Sequence, residues 1–267
     1  MSLICAVVAL VQFVEINLVL QSKHIFNIPD KPQYRIHSFF MNANYYATIL
    51  EFIILMAFYK LAIVKDKESS FAFYSLVIII NIFLLYLTGC RTAWFALFAS
   101  VPIIFLFQKK YYIATTLIIT SLLIFFGTIL FEIFPRIDTL LVDFNVRLKI
   151  WIAALHGFIQ HPLLGVGPFG YKSIYLVNHG PKTIHAHSLY FDTLLSYGIL
   201  GTATVLYSLS KYFKSLALTA HLKYYSLMIG ILSVTLIHGI LDITIMNLQV
   251  GLLALFIVSS VNYQNQV

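Results

Sequence analysis

Charged side chains are scarce in this sequence of 267 residues. Lys, Arg, Asp and Glu make up 10% of it, whereas 60% is hydrophobic and the mean hydropathy is +0.90. Soluble domains carry about 25% charged residues, so this chain has too few to cover a soluble surface. Apolar runs of about 17–25 residues, long enough to cross a bilayer, recur along it. The composition excludes a soluble globular domain and predicts an all-α integral membrane protein.

Cysteine is equally rare, and the basic residues form no concentrated run. Cys5 and Cys90 are the two cysteines, both in or beside apolar runs and without metal-ligand spacing, which is typical of small buried side chains. The net charge of +7 is spread over loops, which excludes nucleic acid as the expected partner and favours anionic lipid. No Asp-x-Asp sequence occurs.

Eight apolar runs are predicted to be transmembrane helices of one membrane domain, residues 1–267. The predicted spans are 2–20, 39–63, 71–89, 92–108, 111–131, 188–210, 222–241 and 246–263. Glu51, inside the second span, needs a polar partner or a position near the membrane surface. The long segment 132–187 is predicted to contain an interfacial helix at 145–160, because its aromatic and apolar residues recur at helical spacing until Pro162.

Lysine and arginine are distributed differently between the two sides of the membrane. Eight lysines fall in loops on one side: Lys60, Lys65, Lys67, Lys109, Lys110, Lys211, Lys214 and Lys223. The positive-inside rule assigns this side to the cytoplasm, which makes both termini cytoplasmic and segment 132–187 an extracytoplasmic loop. The four arginines of the chain all fall on the outer side: Arg35, Arg91, Arg136 and Arg147. A guanidinium group is a planar fork that suits phosphate oxygens.

Several outer residues allow more than one interpretation. Arg91 fits an interfacial anchor and an anion ligand equally well, and Arg147 fits a solvated helix face as well as a ligand. His185 and His187 fit half of a metal site, a polar interfacial pair, or a general base. Because no further His or Cys motif completes a metal site, no metal is expected.

Two further patterns also have alternative explanations. His238 and Asp242, four residues apart, suit either a contact on one helix face or a hydrogen bond between helices. The run from Gly165 to Gly170 matches the dinucleotide fingerprint G-x-G-x-x-G. No βαβ unit surrounds that run and Pro168 interrupts it, so we interpret it as a tight turn returning the chain to the membrane.

Four sequence elements follow one another in a specific order. His187-Ser188, nine residues and Gly198-Ile199-Leu200-Gly201 satisfy the pattern His, then Asn, Ser or Gln, nine residues, Gly, two residues, then Gly, Thr or Tyr. The others are R-x-x-x-W at 147–151 with H-P-x-x-G-x-G at 161–167, Cys90-Arg91-Thr92 in place of S-R-T, and Asn42-Ala43-Asn44 in place of N-P-N. Together, over residues 35–260, they resemble the O-antigen ligase and O-antigen polymerase family.

The resemblance implies a membrane glycosyltransferase that moves an oligosaccharide from undecaprenyl diphosphate to an acceptor hydroxyl, as a polymerase or as a ligase. It implies that His187 is the general base and that Arg91 and Arg147 bind the diphosphate. Asp242 and His185 are expected to support them. The glycines expected to shape turns are Gly165, Gly167 and Gly198. No cofactor is expected.

The resemblance also implies partners and location. The expected partners are a carrier-linked oligosaccharide, a glycan or lipid A-core acceptor, membrane lipid, a flippase and a chain-length regulator. The site is expected on the extracytoplasmic face of the cytoplasmic membrane. Two alternatives stay open: a lipid-linked glycan transporter, and a truncated inactive member, because relatives usually contain more spans than are predicted here.

Overall fold

The computed structural model describes residues 2–20, 32–63, 68–219 and 222–264. The predicted topology markers Lys65 and Lys67 and both chain termini lie outside these ranges. The described helices are α1 (Ser2–Leu20), α2 (Ala43–Ile63), α3 (Glu68–Thr88), α4 (Arg91–Phe107), α5 (Tyr111–Leu130), α6 (Leu140–Gln160), α7 (Gly170–Ile174), α8 (Leu189–Thr219), α9 (Leu222–His238) and α10 (Leu248–Gln264). No strand occurs within the described ranges.

Eight of these helices are strongly apolar. Four of them, α2, α3, α5 and the part of α8 at Leu189–Ser215, are long and apolar enough to cross a membrane. Shorter apolar stretches of 10–17 residues lie in α1, α4, α9 and α10. These eight helices coincide with the eight predicted spans, and the chain is an all-α membrane protein.

Five predicted helix boundaries are wrong by three or more residues. α8 ends at Thr219 and not at residue 210, and α3 begins at Glu68 and not at residue 71. α2 begins at Ala43 and not at residue 39, because Asn42 Oδ1 accepts the N–H of Asn44 at 2.8 Å and forms a turn before the helix. α9 ends at His238 and not at residue 241, since Gly239 begins a turn there. The loop helix α6 begins at Leu140, five residues before the predicted start at residue 145.

α2 lies at the centre of the helix bundle. It packs against α3, α4 and α9, and α4 in turn packs against α5 and α9. Ala47, Ala93 and Ala96 are fully buried between these helices, because small side chains let membrane helices approach closely. The buried residue of α5 is Ala114, and its larger apolar side chains face outward. That distribution is expected for a helix that contacts lipid.

One acidic residue lies deep in the bundle. Glu51 of α2 and His238 at the end of α9 are both fully buried, and His238 Nδ1 lies 2.9 Å from Glu51 Oε2. On the other side of the imidazole, Nε2 lies 3.9 Å from Cys90 Sγ. Glu51 therefore has the polar partner that its position demands. The pair also joins the interior of α2 to the end of α9.

The long segment between α5 and α8 forms a small core of its own. α6 and α7 pack against the start of α8, and Ile150, Tyr171 and Leu195 are among the buried residues between them. The apolar residues Ile152 and Ile159 of α6 are exposed, which suits a helix lying at a membrane surface. This packing places α6 beside α8.

The two ends of the bundle differ in composition. At one end, Lys110 hydrogen-bonds the carbonyl of Ala62, and Gln108 contacts Ser226, so the ends of α2 and α4 meet the start of α9. The opposite end comprises the start of α2, the junction of α3 and α4, the end of α9 and the long segment between α5 and α8. The arginines lie at this second end.

Candidate active site

All four arginines of the chain line one cavity of about 180 Å³. Arg35 precedes α2, Arg91 opens α4, Arg136 lies in the turn before α6, and Arg147 lies on α6. The remaining wall residues described are Asn44, Gly89, Cys90, Thr92, Phe95, Leu140, Asp143, Phe144 and Leu241. Four guanidinium groups face a single carboxylate among these residues, so the cavity carries an excess positive charge and suits a multiply charged anion.

Two of these arginines share the carboxylate of Asp143. Arg91 and Arg136 both donate from Nη2 to Asp143 Oδ2, with a distance of 2.9 Å for Arg136. Arg91 Nη1 also donates to the backbone carbonyl of Arg136 at 2.7 Å. These bonds join the start of α4 to the turn before α6. The two charged groups are thereby positioned before any ligand binds.

Arg35 is held from the opposite side of the cavity. Its Nε donates to the carbonyl of Thr88 at 2.6 Å, and Nη2 donates to Asn44 Oδ1 at 2.8 Å. Burial lowers the pKa of Arg35 to about 10, and the nearby Arg136 charge acts in the same direction. The guanidinium group therefore keeps its charge at neutral pH.

A chain of hydrogen bonds runs from this cavity to His187. Asn44 Nδ2 donates to Asp242 Oδ2 at 2.5 Å. Asp242 Oδ1 lies 3.4 Å from His187 Nδ1 and accepts the N–H of Ile243 at 2.8 Å. Arg35, Asn44, Asp242 and His187 thus form a continuous polar path that joins the start of α2, the loop after α9 and the loop before α8.

His187 is held in an uncommon backbone conformation. Its φ is +47°, a left-handed value that non-glycine residues rarely adopt outside functional or strained sites. Its Nε2 lies 3.1 Å from Thr183 Oγ1, and its ring packs on that of His185 with centroids 4.4 Å apart. The side chain is one-third exposed, so the imidazole is both fixed and accessible.

Two groups beside His187 have shifted pKa values. Burial opposes ionisation of Asp242, but the hydrogen bond from His187 and the nearby imidazole charges outweigh it, so the pKa of Asp242 lies below its usual range. Burial, reinforced by the charge of His187, lowers the pKa of His185. Asp242 is therefore an anion and His185 a neutral imidazole at neutral pH.

His185, His187 and Asp242 are also the described residues that come closest to a metal-ligand set. Their ligand atoms lie within 4.8 Å of one another. However, both oxygens of Asp242 already accept N–H groups, from Ile243, Asn44 and His187. A carboxylate with such partners is organised to orient an imidazole by hydrogen bonding, as in other carboxylate–histidine pairs.

The glycine-rich turn after α6 is hydrogen-bonded to α8. The N–H of Val166 donates to the carbonyl of Leu195 at 2.9 Å, and the N–H of Ile199 donates to that of Pro162 at 2.8 Å. α8 is interrupted at Gly198, whose φ of +61° is not helical. The turn therefore returns the chain to the bundle, and no strand precedes it within the described residues, which excludes a dinucleotide-binding unit.

Close backbone approach explains two of the three predicted turn glycines. A Cβ at Gly165 would lie 2.5 Å from the carbonyl oxygen of Leu195, and one at Gly198 would lie 2.4 Å from that of Leu163. Gly167 has open space around it, but its φ of +90° favours glycine. Gly165 and Gly198, one from each of the two sequence elements, are thus required by the same contact between the turn and α8.

A comparison with protein families agrees with this site. Residues 75–206 match the family model described as O-antigen ligase. The chain belongs to the O-antigen ligase family. It is therefore a membrane glycosyltransferase of ligase or polymerase type. No protein with a curated description matches the sequence.

The match to the O-antigen ligase family covers part of the site. Arg91, Arg147 and His187 lie inside it, whereas Asn44 and Asp242 lie outside. Arg91 and Arg147 line the same cavity, as the sequence elements imply, but His187 is not among its described lining residues and reaches it through Asp242 and Asn44.

Sequence reasoning does not assign Arg35, Arg136, Asn44 or Asp143 to the arginine cavity of this O-antigen ligase family member. Arg35 and Arg136 are predicted only to lie on the outer side, Asn44 only to belong to the element at 42–44, and Asp143 has no predicted role. The available signal was the location of every arginine on one predicted side of the membrane. A sequence pattern does not indicate which of these arginines lie close together in the fold.

Proposed function

We propose that this protein transfers an oligosaccharide from undecaprenyl diphosphate to an acceptor hydroxyl on the extracytoplasmic face of the cytoplasmic membrane. The observation that carries the proposal is the convergence of four arginines on one cavity, linked by hydrogen bonds to an accessible imidazole. A diphosphate with a lipid tail combines the charge that such a cavity binds with the membrane location of the helices.

In the donor half of the reaction, the bond between the anomeric carbon and the diphosphate oxygen breaks. The electron pair stays on the diphosphate, whose negative charge grows in the transition state. Arg91 and Arg147, with Arg35 and Arg136 around them, stabilise that charge by charge-assisted hydrogen bonds. Because Asp143 and a backbone carbonyl already hold the guanidinium groups of Arg91 and Arg136 in place, these two groups need little reorganisation during the reaction.

In the acceptor half, the acceptor oxygen forms the new bond to the anomeric carbon, and His187 takes the proton of that hydroxyl. The anionic Asp242 can only accept a hydrogen bond, so Nδ1 of His187 carries the ring proton and Nε2 is free to act as a base. Thr183 Oγ1, 3.1 Å from Nε2, occupies the position that an acceptor hydroxyl takes. Asp242 orients the imidazole and stabilises the imidazolium that forms.

We propose that the transfer needs no metal ion and no nucleotide cofactor. Arginine side chains provide the positive charge that a metal provides elsewhere. A ligase passes the glycan to lipid A core, whereas a polymerase passes it to another carrier-linked repeat. The same residues would serve either reaction. The proposed partners are a flippase and a chain-length regulator.

The direct test is glycosyl transfer in proteoliposomes that contain a synthetic undecaprenyl diphosphate oligosaccharide. The wild type should form new glycosidic bonds in the presence of a chelator. His187→Ala should reduce the rate by roughly 10²–10⁴-fold, and Arg147→Lys by about 10²-fold or more, because Lys lacks the planar fork. The exposed His161→Ala is the control for loss of an imidazole.

Other results of this assay would contradict the proposal. Translocation of the oligosaccharide without a new glycosidic bond identifies a transporter. Transfer that a chelator abolishes and that a divalent cation restores identifies the cluster of His185, His187 and Asp242 as a metal site. Absence of both transfer and translocation identifies an inactive member.

A further inference from the structure

A second cavity, of about 330 Å³, lies on the other side of the hydrogen-bonded path. Neighbouring residues divide between the two cavities: Asn44 lines the arginine cavity, whereas Tyr45 lines the second one. Two neighbouring residues after α9 divide in the same way. Asp242 hydrogen-bonds Asn44 of the arginine cavity, whereas Ile243 lines the second cavity. His185, which packs on His187, is also part of its wall. The imidazole of His187 is among the described lining residues of neither cavity, but it is linked to the arginine cavity through Asp242 and Asn44 and contacts His185 of the second cavity.

The second cavity has a different chemistry from the first. No Lys or Arg occurs among the described residues that line it, so it lacks the groups that bind a phosphate. It has instead a carboxylate, Asp192, which is 6% exposed. One oxygen of Asp192 accepts the N–H of Ala186 at 2.8 Å, and the other has no hydrogen-bond partner within the described part of the chain. That oxygen is available to accept a ligand hydroxyl.

Further polar and aromatic groups complete this wall. The hydroxyl of Ser196 is buried and has no hydrogen-bond partner among the described residues, which is uncommon unless a ligand or water provides one. The rings of Tyr45, Phe169 and Tyr197 also line the cavity. Aromatic faces pack on the C–H faces of sugar rings, and a few buried polar groups beside them fix orientation. The volume lies in the range of about 300–1,000 Å³ typical of small-ligand sites.

We propose that the second cavity binds the acceptor sugar, and that it selects an uncharged ring over an acidic one. This inference rests on the proposed function, since it assigns to the acceptor the side of His187 opposite the arginines. An acidic sugar is rejected because its carboxylate would meet that of Asp192 in a site without cations. The donor diphosphate and the acceptor thus approach His187 from separate cavities of opposite charge preference.

Binding of simple glycosides tests the proposal without any transfer reaction. The probes are the methyl glycosides of glucose, galactose, mannose, N-acetylglucosamine and glucuronic acid, measured by saturation-transfer NMR on the full chain in lipid nanodiscs. At least one neutral glycoside should receive saturation, and the glucuronide should receive none. Tyr197→Ala and Phe169→Ala should reduce the signal about three- to tenfold. Tyr207→Ala, on an exposed face of the same helix, and Arg147→Ala should leave it unchanged.

Kinetics provide the second measurement. In the proteoliposome assay, Phe169→Ala should raise the KM for the acceptor about three- to tenfold, with the KM for the donor and kcat within twofold of the wild type. Phe169 is exposed on a loop, so this variant is expected to fold.

The outcomes separate this inference from the proposed function. If no neutral glycoside binds, if the glucuronide binds as well, or if Arg147→Ala alone abolishes binding, the second cavity is not the sugar site. If the wild type binds a neutral glycoside through Tyr197 but performs no transfer, the inference holds for binding and the proposed reaction fails.

Discussion

At the scale of single residues, Asp242 is the junction of the site. Its oxygens accept N–H groups from His187, Asn44 and Ile243. Because its pKa lies below its usual range, the carboxylate stabilises the folded state above the ordinary aspartate pKa of about 3.9 and loses that effect only at lower pH. Mild acid therefore leaves the orientation of His187 unchanged.

His185 responds to mild acid in the opposite way. Burial and the His187 charge lower its pKa, so the folded state disfavours a proton that the unfolded chain binds near pH 6.5. Stability is complete above that pH and falls as the pH decreases toward the folded pKa. The thermal unfolding midpoint of the wild type should therefore decrease between pH 7.5 and 5.5. In His185→Gln this decrease should be smaller by roughly 2–4 °C. The exposed His161→Gln should show the wild-type loss, and equal slopes for all three proteins would refute the assignment.

The residue types of the site are predictable from the sequence, but their contacts are not. Arg91, Arg147 and His187 lie in contiguous sequence elements, and the resemblance of these elements to the family indicates roles that spacing alone leaves open. The bond between Asn44 and Asp242 joins positions 198 residues apart, and no local pattern predicts it. Of the two interpretations for His238, the hydrogen bond between helices is the one observed.

At the scale of elements, the turn after α6 and the break in α8 depend on each other. Gly165→Ala and Gly198→Ala each place a Cβ within 2.4–2.5 Å of a backbone oxygen, at positive φ. We expect each to lower the free energy of unfolding by about 1–3 kcal/mol for the conformation alone, and by more once the clash is included. Transfer should fall with it, because the turn borders the second cavity.

Two other glycines provide matched controls for these variants. Gly167→Ala has positive φ but open space, and Gly127→Ala in α5 has open space without that φ. Denaturation in detergent should rank Gly127→Ala as neutral, Gly167→Ala as intermediate, and the two clashing variants as least stable. If Gly165→Ala were as stable as the wild type, the turn would not be packed against α8 as described.

The buried pair of Glu51 and His238 also joins two elements, α2 and α9. Removing one partner leaves an uncompensated polar group in the bundle, so Glu51→Leu or His238→Leu should destabilise the fold by roughly 3–5 kcal/mol. The double variant should recover part of that loss, because the pair can be replaced by apolar groups of similar volume. Thermal unfolding of the four proteins measures the coupling; additive effects would show that the two side chains do not interact.

Helix positions are the part of the fold most accessible to sequence reasoning. Lipid demands long apolar runs, so the eight predicted spans coincide with eight helices. Helix ends are less accessible, because turns such as those at Asn42 and Gly239 depend on a few polar or flexible residues. The packing of α2 against three neighbours depends on contacts between distant segments, which composition does not encode.

At the scale of the whole molecule, the four arginines lie at one end of the bundle, and the lysines between α4 and α5, Lys109 and Lys110, lie at the other end. We expect Lys172→Cys, in the outer loop, to react in intact cells with a maleimide that does not cross membranes. Lys109→Cys, between α4 and α5, should react only after permeabilisation. Both positions are exposed, and the positive-inside rule sets their sides. A Cys5→Ala, Cys90→Ser background removes the two native thiols, and the reverse pattern would invert the topology.

Asp143 contributes a carboxylate to the wall of the arginine cavity. Arg91 and Arg136 already donate to one of its oxygens, so an incoming diphosphate competes for N–H groups that are in use. In the proposed reaction, this competition weakens the binding of the donor and of the released carrier diphosphate. The released diphosphate has the greater negative charge and binds the arginines more tightly, so we expect the Asp143 carboxylate to speed its departure from the cavity.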